Sequence, residues 1–378
     1  MLNSIQLFRI GGINIKMHIT FPLILLWGAL SFGVFNKGGW EGAVYGMIVI
    51  SLIFIIVVLH ELGHSAAARK YHITVKQITL LPLGGVAEME SIPEEPGKEL
   101  VIAIAGPLVN FSLAVFLFLL APVLGQTLTI SRLSSLSAVV GKLTFSSLFL
   151  YIFVTNLFIG VFNLIPAFPM DGGRILRALL ATRLRYTQAT SIAVSIGQLL
   201  SWGFGLWGFL SGNFFLILLA FFIYAGAGQE GRLVQLRSAL GDLTVKQVYS
   251  RGVKSIDLNQ PLETAVHSTL NSFQSSFPIC DQGRLVGMLP YQLLVDALEK
   301  GTLDTPIYQV MRRDIEPASP EDKLFDIQMR MSQQKLDAVP VVDQEQFLGM
   351  ITSQDLNEAY RLAGALDPGL IEQLKKRR

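Results

Sequence analysis

The feature that most constrains this chain is an apolar run, residues 50–71, that carries two histidines and a glutamate. Positions 52–59 are unbroken apolar residues, and His60, Glu61 and His64 follow directly. Positions i and i+4 share one face of a helix, so both histidines can turn a ring nitrogen toward one ion. An acidic residue at the centre of a membrane helix costs roughly 2.5–3.5 kcal/mol on insertion scales. We therefore expect these polar residues to be functional.

The pattern H-E-x-x-H is typical of zinc peptidases, in which zinc usually has three protein ligands and a water. The candidate third ligand is Asp171, which follows a later apolar run within residues 163–174. Zinc would activate the water and polarise a peptide carbonyl. Glu61 would take the water proton and pass it to the leaving amine. Asn163 could stabilise the oxyanion.

Composition indicates a membrane region followed by a soluble one. The 378 residues are 51% hydrophobic and 15% charged, whereas soluble domains average about 25% charged. We interpret six apolar runs as transmembrane helices, at residues 19–35, 42–69, 99–124, 138–168, 189–210 and 213–228. The first run is near the lower length limit for crossing a bilayer. The predicted fold class is a polytopic α-helical membrane protein with a C-terminal α/β domain.

Loop charges predict the orientation of this multi-pass protein in the cell membrane. With six spans, both termini lie on one side, whose loops carry ten basic residues: Arg9, Lys16, Arg69, Lys70, Lys76, Lys98, Arg174, Arg177, Arg183 and Arg185. The opposite loops carry three: Lys37, Arg132 and Lys142. By the positive-inside rule, both termini and the C-terminal domain are predicted to be cytoplasmic. A net charge of +2 does not indicate a nucleic-acid partner, and we expect none.

Residues 243–362 contain an internal repeat with a shift of 62 positions. The shift aligns Pro278 with Pro340 and Asp281 with Asp343. The residue pattern of each copy predicts a helix, a strand around the proline, a turn at the aspartate, a second strand and a helix. Two copies imply a pseudo-twofold pair in which each copy buries the apolar face of the other.

The membrane motifs resemble those of the site-2 protease family of intramembrane zinc metalloproteases. The resemblance covers residues 1–230 and rests on HELGH together with N-x-x-P-x-x-P-x-D-G at residues 163–172. It implies that His60, His64 and Asp171 bind one zinc ion, that Glu61 is the catalytic acid and base, and that Asn163 stabilises the transition state. It also implies a membrane-protein substrate, which can pair with a strand around Gly84 and Gly85. The third-span signature at residues 105–110 is expected to shape packing beside the site.

The repeat resembles a pair of cystathionine-β-synthase-type (CBS) domains, and the resemblance implies regulation of the protease through them. The second copy carries Thr352 and Asp355, which match the element that grips a nucleotide ribose. The first copy has Pro290 and Leu293 at the equivalent positions, so at most one half-site of this type remains. The implied partners are ATP or AMP and, through the CBS pair, a second copy of the chain.

The predicted organisation divides the chain into five segments. They are a membrane-embedded metalloprotease domain at 1–230, a linker at 231–242, CBS motif 1 at 243–300, CBS motif 2 at 305–362 and a basic tail at 363–378. Two other function classes stay open, a CBS-regulated membrane transporter and a catalytically silent membrane scaffold. A transporter would spread ionisable residues along several spans, and a scaffold would be expected to lose Glu61 or a ligand.

Overall fold

The structure, a computed structural model, describes residues 4–82, 84–89, 93–128, 144–272, 274, 276–299 and 303–365. The chain forms two compact units, Met1–Arg232 and Leu233–Arg378. Most of the predicted basic tail lies outside the described residues, as do Arg132 and Lys142 of the predicted loops.

The first unit consists mainly of helices. In chain order they are α1 (Phe21–Leu30), α2 (Gly39–Lys70), α3 (Pro96–Leu120), α4 (Phe145–Asn163), α5 (Asp171–Ala181), α6 (Tyr186–Leu210) and α7 (Phe214–Leu240). Proline stands at the start of α3, where its missing N–H has no helical partner to lose. By contrast, Pro166 and Pro169 follow α4 and prevent the predicted fourth span from continuing to residue 168.

Five of the described helices, α2, α3, α4, α6 and α7, are long and apolar enough to cross a membrane. The predicted first span is shorter: α1 continues through a π-helical segment, Ser31–Phe35, and ends there. Fifteen residues of helix rise about 22 Å, less than the roughly 30 Å of a bilayer core. The prediction of six spans is therefore matched by five long helices and one short apolar helix. Helix α7 continues through most of the predicted linker, as its leucine spacing indicates.

A four-stranded sheet packs against α2. Its strands are β1 (Ser4–Ile10), β2 (Ile13–His18), β3 (Val75–Leu81) and β4 (Gly84–Met89), hydrogen-bonded in that order. The β2–β3 pairing is parallel and the two outer pairings are antiparallel. Ile15 and Ile78 are fully buried in a cluster with Phe54 and Val58 of α2. Strands β1 and β2 were not predicted from the sequence. Strand β4 lies at one edge of the sheet.

The second unit contains the repeated α/β pattern that the sequence predicts. The first copy contributes α8 (Leu262–Ser272), β6 (Phe277–Asp281), β7 (Arg284–Leu289) and α9 (Tyr291–Glu299). The second contributes α10 (Leu324–Gln334), β8 (Ala338–Asp343), β9 (Gln346–Thr352) and α11 (Ser353–Ala365). With the short strand β5 (Ile256–Asp257), the sheet order is β5-β6-β7-β9-β8, so the copies meet at β7 and β9. Met288 and Met350 share one apolar cluster across this junction.

Candidate metal centre

Helix α2 places His60 and His64 one turn apart on a buried face. The two side chains are 5% and 3% exposed, and their Nε2 atoms lie 3.1 Å apart. The first residue of α5, Asp171, directs Oδ2 to within 3.1 Å and 3.2 Å of these nitrogens. The three side chains form the one group of three potential ligands that was found among the described residues, with ligand atoms within 4.8 Å of one another.

The approach of Asp171 depends on the turn between α4 and α5. Residues 164–170 fold back over the start of α5, and a Cβ atom at Gly172 would collide with the backbone carbonyls of Leu164 and Ile165. Only glycine leaves room for this approach. The D-G-G sequence therefore supplies the carboxylate and, in the next residue, the space that lets the carboxylate reach α2.

The second nitrogen of each imidazole ring has a hydrogen-bond partner on α3. His60 Nδ1 lies 2.5 Å from Asn110 Oδ1, and His64 Nδ1 lies 2.7 Å from the Ile102 carbonyl oxygen. A carbonyl oxygen only accepts, so the His64 Nδ1 atom carries a proton. Its Nε2 atom then presents a lone pair, which is the form in which histidine binds a metal.

Asn156 fixes the orientation of Asn110, and through it the tautomer of His60. The Asn156 Nδ2 atom donates to the Asn110 backbone carbonyl at 2.7 Å, so its Oδ1 atom faces the Asn110 side chain. Asn110 Nδ2 donates to that oxygen at 2.9 Å, which leaves Asn110 Oδ1 to accept from His60 Nδ1. Both asparagines are fully buried. Polar side chains buried in apolar helices predict an interhelical hydrogen bond, and the bond between Asn110 and Asn156 is one.

With both Nδ1 protons engaged, two nitrogen lone pairs and one carboxylate oxygen face one another. Such an arrangement is repulsive unless a cation lies between the atoms. Two imidazoles and one carboxylate are a donor set that zinc accepts in catalytic sites. The site is therefore chemically suited to zinc.

Gly106 of α3 leaves the space beside the two histidines open. A Cβ atom there would lie 2.7 Å from His60 Nε2 and even closer to His64 Nε2. This confirms the expectation that the signature at residues 105–110 shapes packing beside the site.

The other predicted catalytic residues lie around this group. Glu61 follows His60 on α2, and its Cγ atom would be 3.0 Å from a Cβ atom added to Gly85, so its side chain lies against Gly85 of β4. Asn163 is the last residue of α4, and its amide donates to the Ile159 carbonyl at 3.1 Å. Within the described residues, no hydrogen bond joins the Asn163 side chain to the three potential ligands.

Thr352 and Asp355 lie at the start of α11 in the second unit. The Asp355 carboxylate accepts from the Thr352 backbone N–H at 2.8 Å and from its hydroxyl at 2.7 Å. The Asp355 N–H donates to Thr352 Oγ1 at 3.2 Å, and the Ser250 hydroxyl donates to Asp355 Oδ1 at 2.9 Å. The two predicted nucleotide contacts thus form a reciprocal helix cap, a structural role that the motif alone did not reveal.

Comparison with known proteins connects both units to established families. Residues 48–204 match the profile of Peptidase family M50, and residues 245–300 and 307–362 each match the CBS domain. A zinc metalloprotease of Methanocaldococcus jannaschii is 36% identical over 320 residues, 82% of this chain and 88% of that protein. Stage IV sporulation protein FB of Bacillus subtilis is 33% identical over 144 residues, which are 38% of this chain and 44% of that protein.

A solved structure, the site-2 protease from Methanocaldococcus jannaschii, is 42% identical and has a TM-score of 0.45, covering 61% of this chain and 95% of that one. The chain belongs to peptidase family M50, the site-2 protease family of zinc-dependent intramembrane proteases, and carries a tandem pair of CBS domains.

Proposed function

We propose that His60, His64 and Asp171 bind the zinc ion of this intramembrane protease, and that Glu61 is its general acid and base. The observation that carries the proposal is the convergence of three buried ligand atoms within 4.8 Å. The engaged Nδ1 atoms of both histidines support it further. Bound zinc supplies an activated water and a polarised substrate carbonyl. Glu61 accepts the proton of the attacking water and delivers it to the leaving nitrogen of the peptide bond.

The substrate in this proposal is a membrane-spanning protein that is cleaved in or near its transmembrane segment. Strand β4 is at the edge of its sheet, and Gly85 on β4 lies against the Glu61 side chain. An extended substrate segment added to the free edge of β4 would pass beside the catalytic glutamate. Asn163 stabilises the oxyanion after its amide exchanges the Ile159 carbonyl for the substrate oxygen.

The test compares variants of the full chain in the same detergent or bilayer. Glu61→Gln should lower peptide-bond cleavage by about 10²–10⁴-fold, the usual range for loss of an acid–base group. Its zinc content should stay near that of the unchanged chain. Asp171→Ala and His64→Ala should lower both zinc content and cleavage. Glu41→Gln, an exposed position on the first turn of α2, is the matched control. Full cleavage by Glu61→Gln would exclude the mechanism.

We also propose that both termini and the CBS pair are cytoplasmic. The charge bias that supports this orientation needs one correction, since Arg177 is not a loop charge but a fully buried side chain in α5. Without it, nine basic residues still face three on the opposite side. A cysteine at Asn36 should react with an impermeant reagent from the extracytoplasmic side.

A second proposal concerns the CBS pair, which we infer to bind an adenine nucleotide or to join two copies of the chain. Thr352 and Asp355 are the candidate nucleotide contacts, supported by their match to the ribose-binding element. A ribose hydroxyl at Asp355 would replace the hydroxyl of Ser250, which now donates to this carboxylate. Calorimetric titration of the full chain with ATP and AMP tests nucleotide binding. Multi-angle light scattering of the purified chain measures its molar mass and so tests dimer formation.

A further inference from the structure

Arg177 is a buried charge close to, but outside, the metal centre. It lies in α5, six residues after Asp171, and its side chain is fully buried. Six residues of helix correspond to about 9 Å along the axis, so Arg177 does not reach the ligand group itself. A guanidinium this deeply buried is costly unless charged partners surround it.

Two glutamates on two different helices pair with the guanidinium. Arg177 Nε donates to Glu99 Oε1 of α3 at 2.8 Å, and Nη2 donates to the same oxygen. Arg177 Nη1 donates to Glu230 Oε1 of α7 at 2.7 Å. The guanidinium carbon also lies 4.9 Å from the ring centres of both Phe168 and Tyr186. Arg177 thus connects α5 to α3 and α7, and contacts the turn that precedes Asp171.

Glu99 is held through one oxygen. Its Oε1 atom accepts both Arg177 bonds, and Tyr186 lies 3.4 Å from the same atom, whereas Oε2 is buried and has no hydrogen-bond partner among the described residues. Buried ion pairs are often neutral or unfavourable for stability when compared with apolar packing. An incompletely satisfied pair is therefore better explained by the geometry that it fixes than by the stability that it adds.

Two of the helices that Arg177 joins, α3 and α5, carry residues of the metal centre or their hydrogen-bond partners. Helix α3 carries the Ile102 carbonyl and Asn110, which orient the two histidines, and Glu99 lies one turn before Ile102. Helix α5 begins with Asp171, and Phe168 lies three residues before it. We propose that Arg177 is a positioning residue for Asp171, holding the carboxylate at the distance from α3 that zinc binding requires. This inference rests on the proposed ligand set.

Arginine is suited to this role in a way that lysine is not. The planar guanidinium donates from three nitrogens to two glutamates, and its carbon lies over two aromatic rings. Lysine has the same charge but a single nitrogen and no planar face. Arg177→Lys therefore keeps the charge and removes the geometry, which makes it the informative variant.

The experiment measures zinc affinity of the full chain by competition with a chelator, in a cycle of Arg177→Lys, Asp171→Ala and the double variant. Loss of an outer partner of a metal ligand typically weakens binding by about 10–100-fold. We expect Arg177→Lys to weaken zinc binding within this range, and to have no further effect when Asp171→Ala is present. Arg183→Lys, exposed beyond the end of α5, is the matched control and should bind zinc normally.

Each outcome of the cycle is decisive. Unchanged zinc affinity in Arg177→Lys, or an equal loss with and without Asp171, would overturn the positioning role. Unchanged affinity in Asp171→Ala would instead overturn the ligand assignment on which the inference rests. If Arg177→Lys does not fold, Glu230→Gln repeats the test at a partner whose side chain is 18% exposed. It should weaken zinc binding several-fold, again only when Asp171 is present, and an effect that is absent or independent of Asp171 would overturn the inference.

Discussion

Polar side chains are buried in two places that differ in how their hydrogen-bonding capacity is used. At the metal centre, His60, His64 and Asp171 have outer partners or a fixed backbone, but their ligand atoms face one another. At the start of α11, Thr352 and Asp355 bond to each other, and Ser250 occupies the remaining carboxylate oxygen. The first arrangement leaves lone pairs directed at a common point, whereas in the second each carboxylate oxygen already accepts a hydrogen bond within the protein.

This difference distinguishes motif residues that can bind a ligand from motif residues that stabilise the local structure. Both sets were proposed from sequence motifs, and a motif records which residues occur together but not which bonds they make. Donors and acceptors that pair with each other stabilise the protein without a ligand. Acceptors that converge on one point repel each other unless a cation binds between them. The predictions below test this contrast, from the largest expected effect to the smallest.

The largest effect is expected at Gly106, which keeps the space beside the ligand atoms open. Gly106→Ala places a methyl group 2.7 Å from His60 Nε2, so both rings must move. A displacement of about 1 Å at a reacting centre can cost 10²-fold in rate. We expect a loss of cleavage of at least this size, together with loss of zinc measured by elemental analysis. Gly97→Ala on the same helix, with open space around its Cβ position, should leave both unchanged.

The next effect tests the outer partner of His60. Asn110→Ala removes the acceptor of the Nδ1 proton, so the ring is free to rotate or to change tautomer, and zinc affinity should fall by about 10–100-fold. Asn110→Asp keeps an acceptor oxygen for His60 but sets its second oxygen against Asn156 Oδ1, so it should restore only part of the affinity. Chelator competition measures both. Equal weakening by alanine and aspartate would show that the hydrogen bond to Asn156, and not the acceptor for His60, is what Asn110 supplies.

The contrast also explains which parts of the site the sequence could predict. The i, i+4 spacing of His60 and His64 and the D-G pair at Asp171 were sufficient to predict the three residues that converge, because helix geometry is local. The roles of Asn110 and Arg177 were missed because each depends on a partner on another helix: Asn156 for the first, and Glu99 for the second. Arg177 was misread as a loop charge, since charge alone does not reveal burial.

The same reasoning applies to the fold. Apolar runs predicted the long helices, and the 62-residue repeat predicted both α/β copies, because each pattern is contained within one element or one copy. Strand β2 was missed because its pairing with β3 joins residues about sixty positions apart in the sequence, such as Ile15 and Ile78. Strand β1 pairs with β2, so it was missed together with β2. The first span was predicted at residues 19–35, near the lower length limit, and the apolar helix at Phe21–Phe35 ends where the apolar run ends.

Loss of the α11 cap should lower the stability of the helix and leave zinc affinity unchanged. Asp355→Ala removes a reciprocal cap, which typically costs about 1 kcal/mol of folding free energy. Hydrogen exchange of the α11 amides in the full chain should increase accordingly, with zinc affinity unchanged. Glu358→Ala, exposed on the same helix, should change exchange little. If ATP slows this exchange in the unchanged chain but not in Asp355→Ala, the pair is a ligand site as well as a cap, and the contrast with the metal centre is weaker.

The smallest effect concerns Cys280, a buried residue of a zinc-binding type that belongs to no group of three potential ligands within the described part of the chain. It lies on β6 and is 8% exposed, and burial raises the pKa of its thiol. The thiolate is the reactive form, so both burial and the raised pKa lower its reactivity. We expect a maleimide to label Cys280 several-fold more slowly at neutral pH than a cysteine at exposed Ser332, introduced as Ser332→Cys. Labelling of Cys280 should accelerate as pH rises and should be the same with zinc or with a chelator. Protection of Cys280 by zinc would mean that burial of a single ligand atom is sufficient for metal binding in this chain, and that convergence is not the property that distinguishes the site.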